Sequence, residues 1–241
     1  MPSAAERLKH AVEVDFLAKL KEAFGERLDA VVLYGSYVEG NFHPGTSDVN
    51  VLVLLSEPDP DALGRLAKSA GGMMRKRRIT PLILTSGEFA RSSDVFPMEY
   101  LDIAARHTVL HGGDPTATLA VDRRNLRHQL EHQMRGNLIS LRQLVLAARG
   151  RRRLLGRELK RWYGPVAAVF RGLLRLKGVD PVPTTPDALI SSVNDAFGLE
   201  SGPFMELVSY RNGESADPVR LAEALLLRLA DLVETVDRME S

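Results

Sequence analysis

The sequence contains no cysteine among its 241 residues. This absence excludes disulfide bonds and thiolate metal sites, and it fits a protein of a reducing compartment such as the cytoplasm. No apolar run approaches the roughly 18 residues that a membrane-spanning helix requires, so we expect no membrane partner. The N-terminal segment is charged throughout and has no uninterrupted apolar core, so we expect no secretory signal there.

The chain also lacks an excess of charge of either sign. It has 32 basic and 31 acidic side chains and a net charge of +1. Nucleic acid is therefore not attracted by the protein as a whole, and any such binding requires a local patch. Hydrophobic residues make up 44% of the chain, which is enough for apolar cores. The length allows one large domain or two domains of ordinary size.

The N-terminal half is organised around Val31–Leu55, VVLYGSYVEGNFHPGTSDVNVLVLL. Its two short β-branched runs, bounded by turn residues, predict two strands. Gly35 and Ser36 follow the first strand, while Asp48 and Asn50 share one face of the second because side chains alternate along a strand. A helix start after glycine binds anions, and carboxylates opposite it would hold a cation against a phosphate. The alternative is a simple turn, with Asp48 capping the strand.

This stretch resembles the signature of the nucleotidyltransferase-fold superfamily, in which Gly-Ser, a spacer and Asp-x-Asp follow a hydrophobic residue. The resemblance implies that Gly35, Ser36 and Ser47 bind a nucleoside triphosphate and that Asp48 binds Mg²⁺. The sequence departs from the signature at position 50, where Asn50 offers a neutral amide oxygen, a weaker ligand for a divalent ion. Nucleotide and weakly bound Mg²⁺ are the cofactors that the resemblance implies.

Ile79–Thr85 predicts a third strand, reached from the second by a helical crossover. In many members of the superfamily this strand carries the base that deprotonates the attacking hydroxyl. The aligned position is Ile83, so two of the three usual acids are missing. In some relatives the base comes from the helical domain, and Glu131 is a candidate for that role. The alternative for Glu131 is an ion pair one helical turn away, with Arg127 or Arg135.

The segment that follows predicts a short helix from Phe96 and a short strand at His107–Leu110. Its pattern FP-x-E-x-L-D … VL-x-G-x-D-P resembles the segment that links the two domains of bacterial aminoglycoside nucleotidyltransferases. The alternative for Glu99 and Asp102 is that they are ordinary acids of the first turn of a helix, where negative charge is favourable.

Apolar residues recur at helical spacing from Val121 to the end of the chain, with the second of these helices predicted at about Leu154–Leu176. Short connections between amphipathic helices predict an up-and-down bundle. The predicted fold is therefore an α/β nucleotidyltransferase domain with a small mixed sheet, residues 1–118, followed by an all-α helical bundle, residues 119–241.

Two basic runs remain. Arg149–Arg161 holds seven cations and one acid. Arg151, Arg152 and Arg153 of this run are candidates for contacts with RNA or with a triphosphate, although a solubilising helix start is the simpler interpretation. Cations at a helix N-terminus oppose the dipole, which favours a specific role. The second run, Arg75–Arg78, is expected at the solvated end of a helix, where cations suit the dipole.

Three functions remain open from sequence. The missing acids favour a nucleoside triphosphate-binding protein with weak or absent transfer activity. The alternatives are an active enzyme that moves a nucleoside monophosphate to a small hydroxylated acceptor, with a base from the helical domain, and a regulatory partner that binds RNA or protein. The expected partners are a nucleotide and an unidentified small-molecule acceptor, and a homodimer remains open.

Overall fold

The structure, a computed structural model, describes residues 3–39, 42, 48–117 and 119–238. The chain divides into two compact units, Met1–Val121 and Asp122–Ser241. Within the described residues the first unit combines four strands with six α-helices, and the second unit has five α-helices. None of these helices combines the length and the apolar composition needed to cross a membrane.

The first unit begins with two α-helices joined by the π-helical turn Ala11–Phe16, and a 3₁₀ turn at Gly25–Arg27 leads into the first strand. In chain order its α-helices and strands are α1 (Ala4–His10), α2 (Leu17–Phe24), β1 (Leu28–Tyr34), α3 (Ser36–Glu39), β2 (Val49–Leu55), α4 (Pro60–Arg77), β3 (Ile79–Thr85), α5 (Ser86–Arg91), α6 (Pro97–Ala105) and β4 (His107–His111).

The four strands form one mixed sheet in the order β3-β2-β1-β4. β1 is antiparallel to both of its neighbours, whereas β2 and β3 are parallel and are connected through α4. A parallel pair needs such a crossover because its strands start at the same edge of the sheet. The predicted small mixed sheet and its third strand are thus confirmed.

The two faces of the sheet have separate apolar cores because side chains alternate along each strand. One face packs against α2 and α4, whose contributions include Phe24 and Leu66. The opposite face packs against residues of α5 and α6, among them Phe89 and Tyr100. Phe89 and Tyr100 stack with their ring centroids 4.5 Å apart. The sheet is therefore covered on both sides, and its polar residues collect where the strands begin or end.

The second unit is all-α, as predicted. Its helices are α7 (Arg123–Ala148), α8 (Arg152–Leu176), α9 (Pro186–Phe197), α10 (Gly202–Asn212) and α11 (Pro218–Asp237). α7 packs along α8 and α11, and the Trp162 indole of α8 donates to the backbone oxygen of Asn137 in α7 at 3.2 Å. α8 begins two residues before the predicted Leu154, so the arginines of the basic stretch form its first turn.

Candidate functional site

Gly35 and Asn50 lie next to each other where β1 ends and β2 begins. Tyr34, the last residue of β1, is paired with Asn50. Gly35 follows with φ +75°, and the short helix α3 starts at Ser36, with the Val38 N–H donating to the Gly35 oxygen at 2.9 Å. This backbone conformation favours glycine, and the Asn50 amide occupies the space that a Cβ atom would need. The predicted Gly-Ser turn is confirmed and lies against the second strand.

Asp48 directly precedes β2 and forms an ion pair with Arg78. Nη2 of Arg78 lies 2.8 Å from Oδ1 of Asp48, and both side chains are about half exposed. The backbone oxygen of Arg78 also accepts a hydrogen bond of 2.8 Å from the Val49 N–H. Two contacts thus attach the end of α4 to the start of β2, and the carboxylate of Asp48 is partly neutralised.

Arg78 is the exposed C-cap of α4, as expected for the solvated end of this helix, but its ion pair with Asp48 was not predicted. Val49 pairs with Ile79 in the parallel ladder. The residues that directly precede two paired parallel strands lie side by side, and here they are Asp48 and Arg78. This pairing of Arg78 with Asp48 could have been inferred from the predicted crossover, by comparing the residues that precede the second and the third strand.

The alignment of the missing base with Ile83 is wrong. Ile83 pairs with Val53 and packs into the apolar core on the face of the sheet opposite Asn50. The neighbour of Asn50 in β3 is Thr80, which is exposed. Side chains alternate between the two faces of a strand, so the odd-numbered Ile83 and the even-numbered Thr80 lie on different faces of β3. β3 carries no acid on either face, so the deficit of carboxylates persists.

Tyr34 is a second residue that the sequence analysis did not identify. Burial raises the pKa of its phenol, and the negative charges of Asp102 and Glu99 raise it further. Tyr34 occupies the position of β1 that pairs with Asn50. Glu99 belongs to the first turn of α6, as expected, and both acids also act electrostatically on the end of β1.

Glu131 lies in α7 of the second unit, where it is partly buried. Its Oε1 accepts a hydrogen bond of 2.8 Å from Nε of Arg127, one helical turn earlier. The ion pair that the sequence left open as the alternative is therefore formed. The other possible partner, Arg135, binds Asp237 of α11.

Two of the three candidate arginines, Arg151 and Arg152, make contacts within the second unit. The Arg151 guanidinium donates to the oxygens of Ala147 and Ala148, at 3.4 and 3.2 Å, and so caps the end of α7. Arg152 pairs with Asp217 at 3.0 Å. Arg153 is exposed. The cations that oppose the dipole of α8 therefore satisfy the C-terminus of α7 and an acid beside α11, which accounts for Arg151 and Arg152 without nucleic acid.

The residues at the start of β2 do not fit a resident Mg²⁺ ion held by two carboxylates. Asp48 is paired with Arg78, and Asn50 carries no charge. Among the described residues there is no group of three or more acidic or histidine side chains that could hold a metal. Ser47, the remaining predicted nucleotide contact, lies outside the described residues.

Comparison with known proteins identifies the fold. Residues 15–98 match the family model of the nucleotidyltransferase domain. No curated protein matches the sequence. Among solved structures, the chain is similar to the spectinomycin adenyltransferase AAD(9) from Enterococcus faecialis, solved with ATP and spectinomycin. The TM-score is 0.58 at 13% identity, and the match covers 94% of this chain and 99% of that one. The chain is thus a nucleotidyltransferase-fold protein that resembles the aminoglycoside nucleotidyltransferases.

Proposed function

We propose that this protein binds a nucleoside triphosphate at the Gly35-Ser36 turn and has weak or absent nucleotidyl-transfer activity. The observation that carries the proposal is the close approach of Gly35 to the Asn50 side chain, which brings the Gly35-Ser36 turn to the polar end of the sheet. The whole of this arrangement lies within the segment that matches the nucleotidyltransferase domain. The similar adenyltransferase was solved with ATP, which supports the choice of ligand.

The turn suits phosphate because Gly35 has no Cβ, so phosphate oxygens can approach the backbone N–H groups. The Ser36 hydroxyl and the Asn50 amide are neutral donors within the same turn and strand. Arg78 adds a positive charge beside them. Together these groups provide donors for an anionic ligand with a single carboxylate, Asp48, close by.

The same residues explain why transfer should be slow. Attack on a nucleotide phosphorus needs positive charge on the triphosphate and a base for the incoming hydroxyl. Asp48 alone offers a carboxylate to a metal, and it is already paired. Thr80, the β3 residue that pairs with Asn50, is not an acid. A general base is typically worth about 10²–10⁴-fold in rate, so its absence is a large deficit.

A second candidate function is transfer of a nucleoside monophosphate to a small hydroxylated acceptor. The likeness to an adenyltransferase solved with both ATP and spectinomycin favours it. Because β3 carries no acid, the base would have to come from the helical unit. Glu131 is the residue that we would assign to that role, after its release from Arg127.

Binding and transfer are separated by two measurements on the full chain. We would titrate the protein calorimetrically with ATP, GTP, CTP and UTP, and then assay pyrophosphate release with a panel of hydroxylated acceptors. We expect binding of at least one nucleotide with barely measurable release. Brisk release that is lost in Glu131→Gln would establish the second candidate instead. Failure to bind any of the four nucleotides would overturn both.

A further inference from the structure

Arg78 adopts a backbone conformation that L-amino acids rarely take. It is the C-cap of α4, with φ 55° and ψ 41° in the left-handed region. Glycine most often occupies such a cap because a Cβ atom is unfavourable there, and asparagine is the commonest alternative because its side chain can hydrogen-bond locally. An unfavourable residue at a helix end that borders a candidate site points to a use for its side chain.

The Arg78 side chain forms an ion pair with Asp48, the residue whose carboxylate binds a metal in the superfamily signature. Its Nη2 contacts Oδ1 of Asp48, and its backbone oxygen accepts the Val49 N–H. The other signature acid is replaced by Asn50. The charges of Asp48, Asn50 and Arg78 therefore sum to zero, whereas an Asp-x-Asp pair without an arginine carries two negative charges and repels a triphosphate unless a cation is bound.

Further cations lie close to Arg78. They line with it a cavity of about 590 Å³ whose wall also includes Tyr37 and Phe42. The acid in this wall, Glu6, accepts hydrogen bonds from Ser3 within the capping box of α1. The remaining charged residues of the wall are Lys9, Lys76 and Arg77. The field around the end of α4 is thus positive, which favours an anionic ligand over a free metal ion.

We propose that Arg78 takes the place of the divalent cation in this protein: it neutralises Asp48 and binds the phosphates, so that the triphosphate binds without metal. A guanidinium group has five N–H donors in a planar fork, so one that binds a carboxylate can also bind a phosphate. This inference rests on the proposed function and specifies how its ligand is bound.

The test is calorimetric titration with the tightest-binding nucleotide, in excess EDTA and in excess MgCl₂. We expect the two affinities of the wild type to differ by less than about threefold. In EDTA, Arg78→Gln should lose at least about tenfold in affinity, because a hydrogen bond to a charged group is lost. Arg75→Gln removes the same charge from an exposed site on the same helix and should leave the affinity unchanged.

Arg78→Gly serves as the second variant, because glycine suits the left-handed cap and should fold at least as well as the wild type. A loss of affinity in Arg78→Gly therefore cannot be attributed to misfolding. If the wild type binds nucleotide only with MgCl₂, or if both Arg78 variants bind as well as the wild type in EDTA, the inference is wrong and the proposed function stands. If the wild type binds no nucleotide under either condition, both are overturned.

Discussion

A Cβ atom added to Gly35 would lie 2.9 Å from Nδ2 of Asn50. That distance is shorter than real Cβ contacts allow, and the left-handed φ of +75° adds a second reason for glycine. The Asn50 amide occupies the space that a side chain at position 35 would need, so a larger residue there would have to displace it. The geometry of the candidate phosphate site therefore depends on these two residues together.

We expect Gly35→Val to abolish triphosphate binding, because the branched side chain would displace Asn50 and cover the backbone of the turn. The measurement is calorimetric titration of a variant whose circular dichroism shows that it is folded. Gly178→Ala is the matched control for a side chain at positive φ, since Gly178 has φ +79° and open space around it. Undiminished affinity in a folded Gly35→Val variant would exclude the turn as the binding site.

Asn50→Asp should increase the effect of magnesium on triphosphate affinity, because it restores the second carboxylate of the signature. A unit charge about 4 Å from the ion is worth about 1 kcal/mol in water and more at a partly buried site, so the magnesium effect should grow at least about fivefold. Paired titrations in EDTA and MgCl₂ measure this difference. If the wild type already binds magnesium tightly and Asn50→Asp changes nothing, another group supplies the missing negative charge and the prediction is wrong.

Adding a base on the correct face of β3 should raise transfer activity. We expect the double variant Asn50→Asp with Thr80→Glu to release pyrophosphate faster than the wild type, because the new carboxylate would share a face with position 50. The matched control is Asn50→Asp with Ile83→Glu, whose new acid faces the apolar core on the opposite side. A gain about equal in both double variants would contradict the register that places Thr80 beside Asn50. A general base typically contributes about 10²–10⁴-fold.

Two helical glycines of the second unit should respond to alanine in opposite directions. A Cβ on the buried Gly156 would overlap the hydroxyl of Tyr210, whose ring lies 4.5 Å from Nζ of Lys160, so Gly156→Ala should destabilise the second unit by about 1–3 kcal/mol. Gly136 of α7 is exposed and has no neighbour within 4 Å, so Gly136→Ala should stabilise the second unit by about 0.5–1 kcal/mol.

Urea unfolding followed by fluorescence of Trp162, the single tryptophan of the chain, measures both changes. Replacing the tyrosine as well, in Gly156→Ala with Tyr210→Phe, should recover part of the lost stability because the overlapping hydroxyl is gone. Equal effects of alanine at the two glycines would contradict the packing of α8 against α10.

Local patterns in the sequence were sufficient for the elements and for the core of the candidate site. The β-branched runs on either side of Gly35 predict β1 and β2, and the turn at Gly35 and Ser36 follows from the same stretch. Asp48 and the neutral Asn50 follow from the two-residue period of a strand. The lack of an acid in Ile79–Thr85 is likewise a property of the sequence alone. Each of these conclusions depends on residues that are close in the chain.

Only the tertiary structure decided which distant residues meet. The parallel register of β2 and β3 pairs Asp48 with Arg78 and puts Thr80, rather than Ile83, beside Asn50. The packing of α7, α8 and α11 likewise brings Arg152 to an acid at the start of α11. Register and helix packing are set by long-range apolar contacts that leave no periodic signal near the polar residues they position. The sequence by itself therefore determined the elements and the chemical groups available, and the tertiary structure decided their partners.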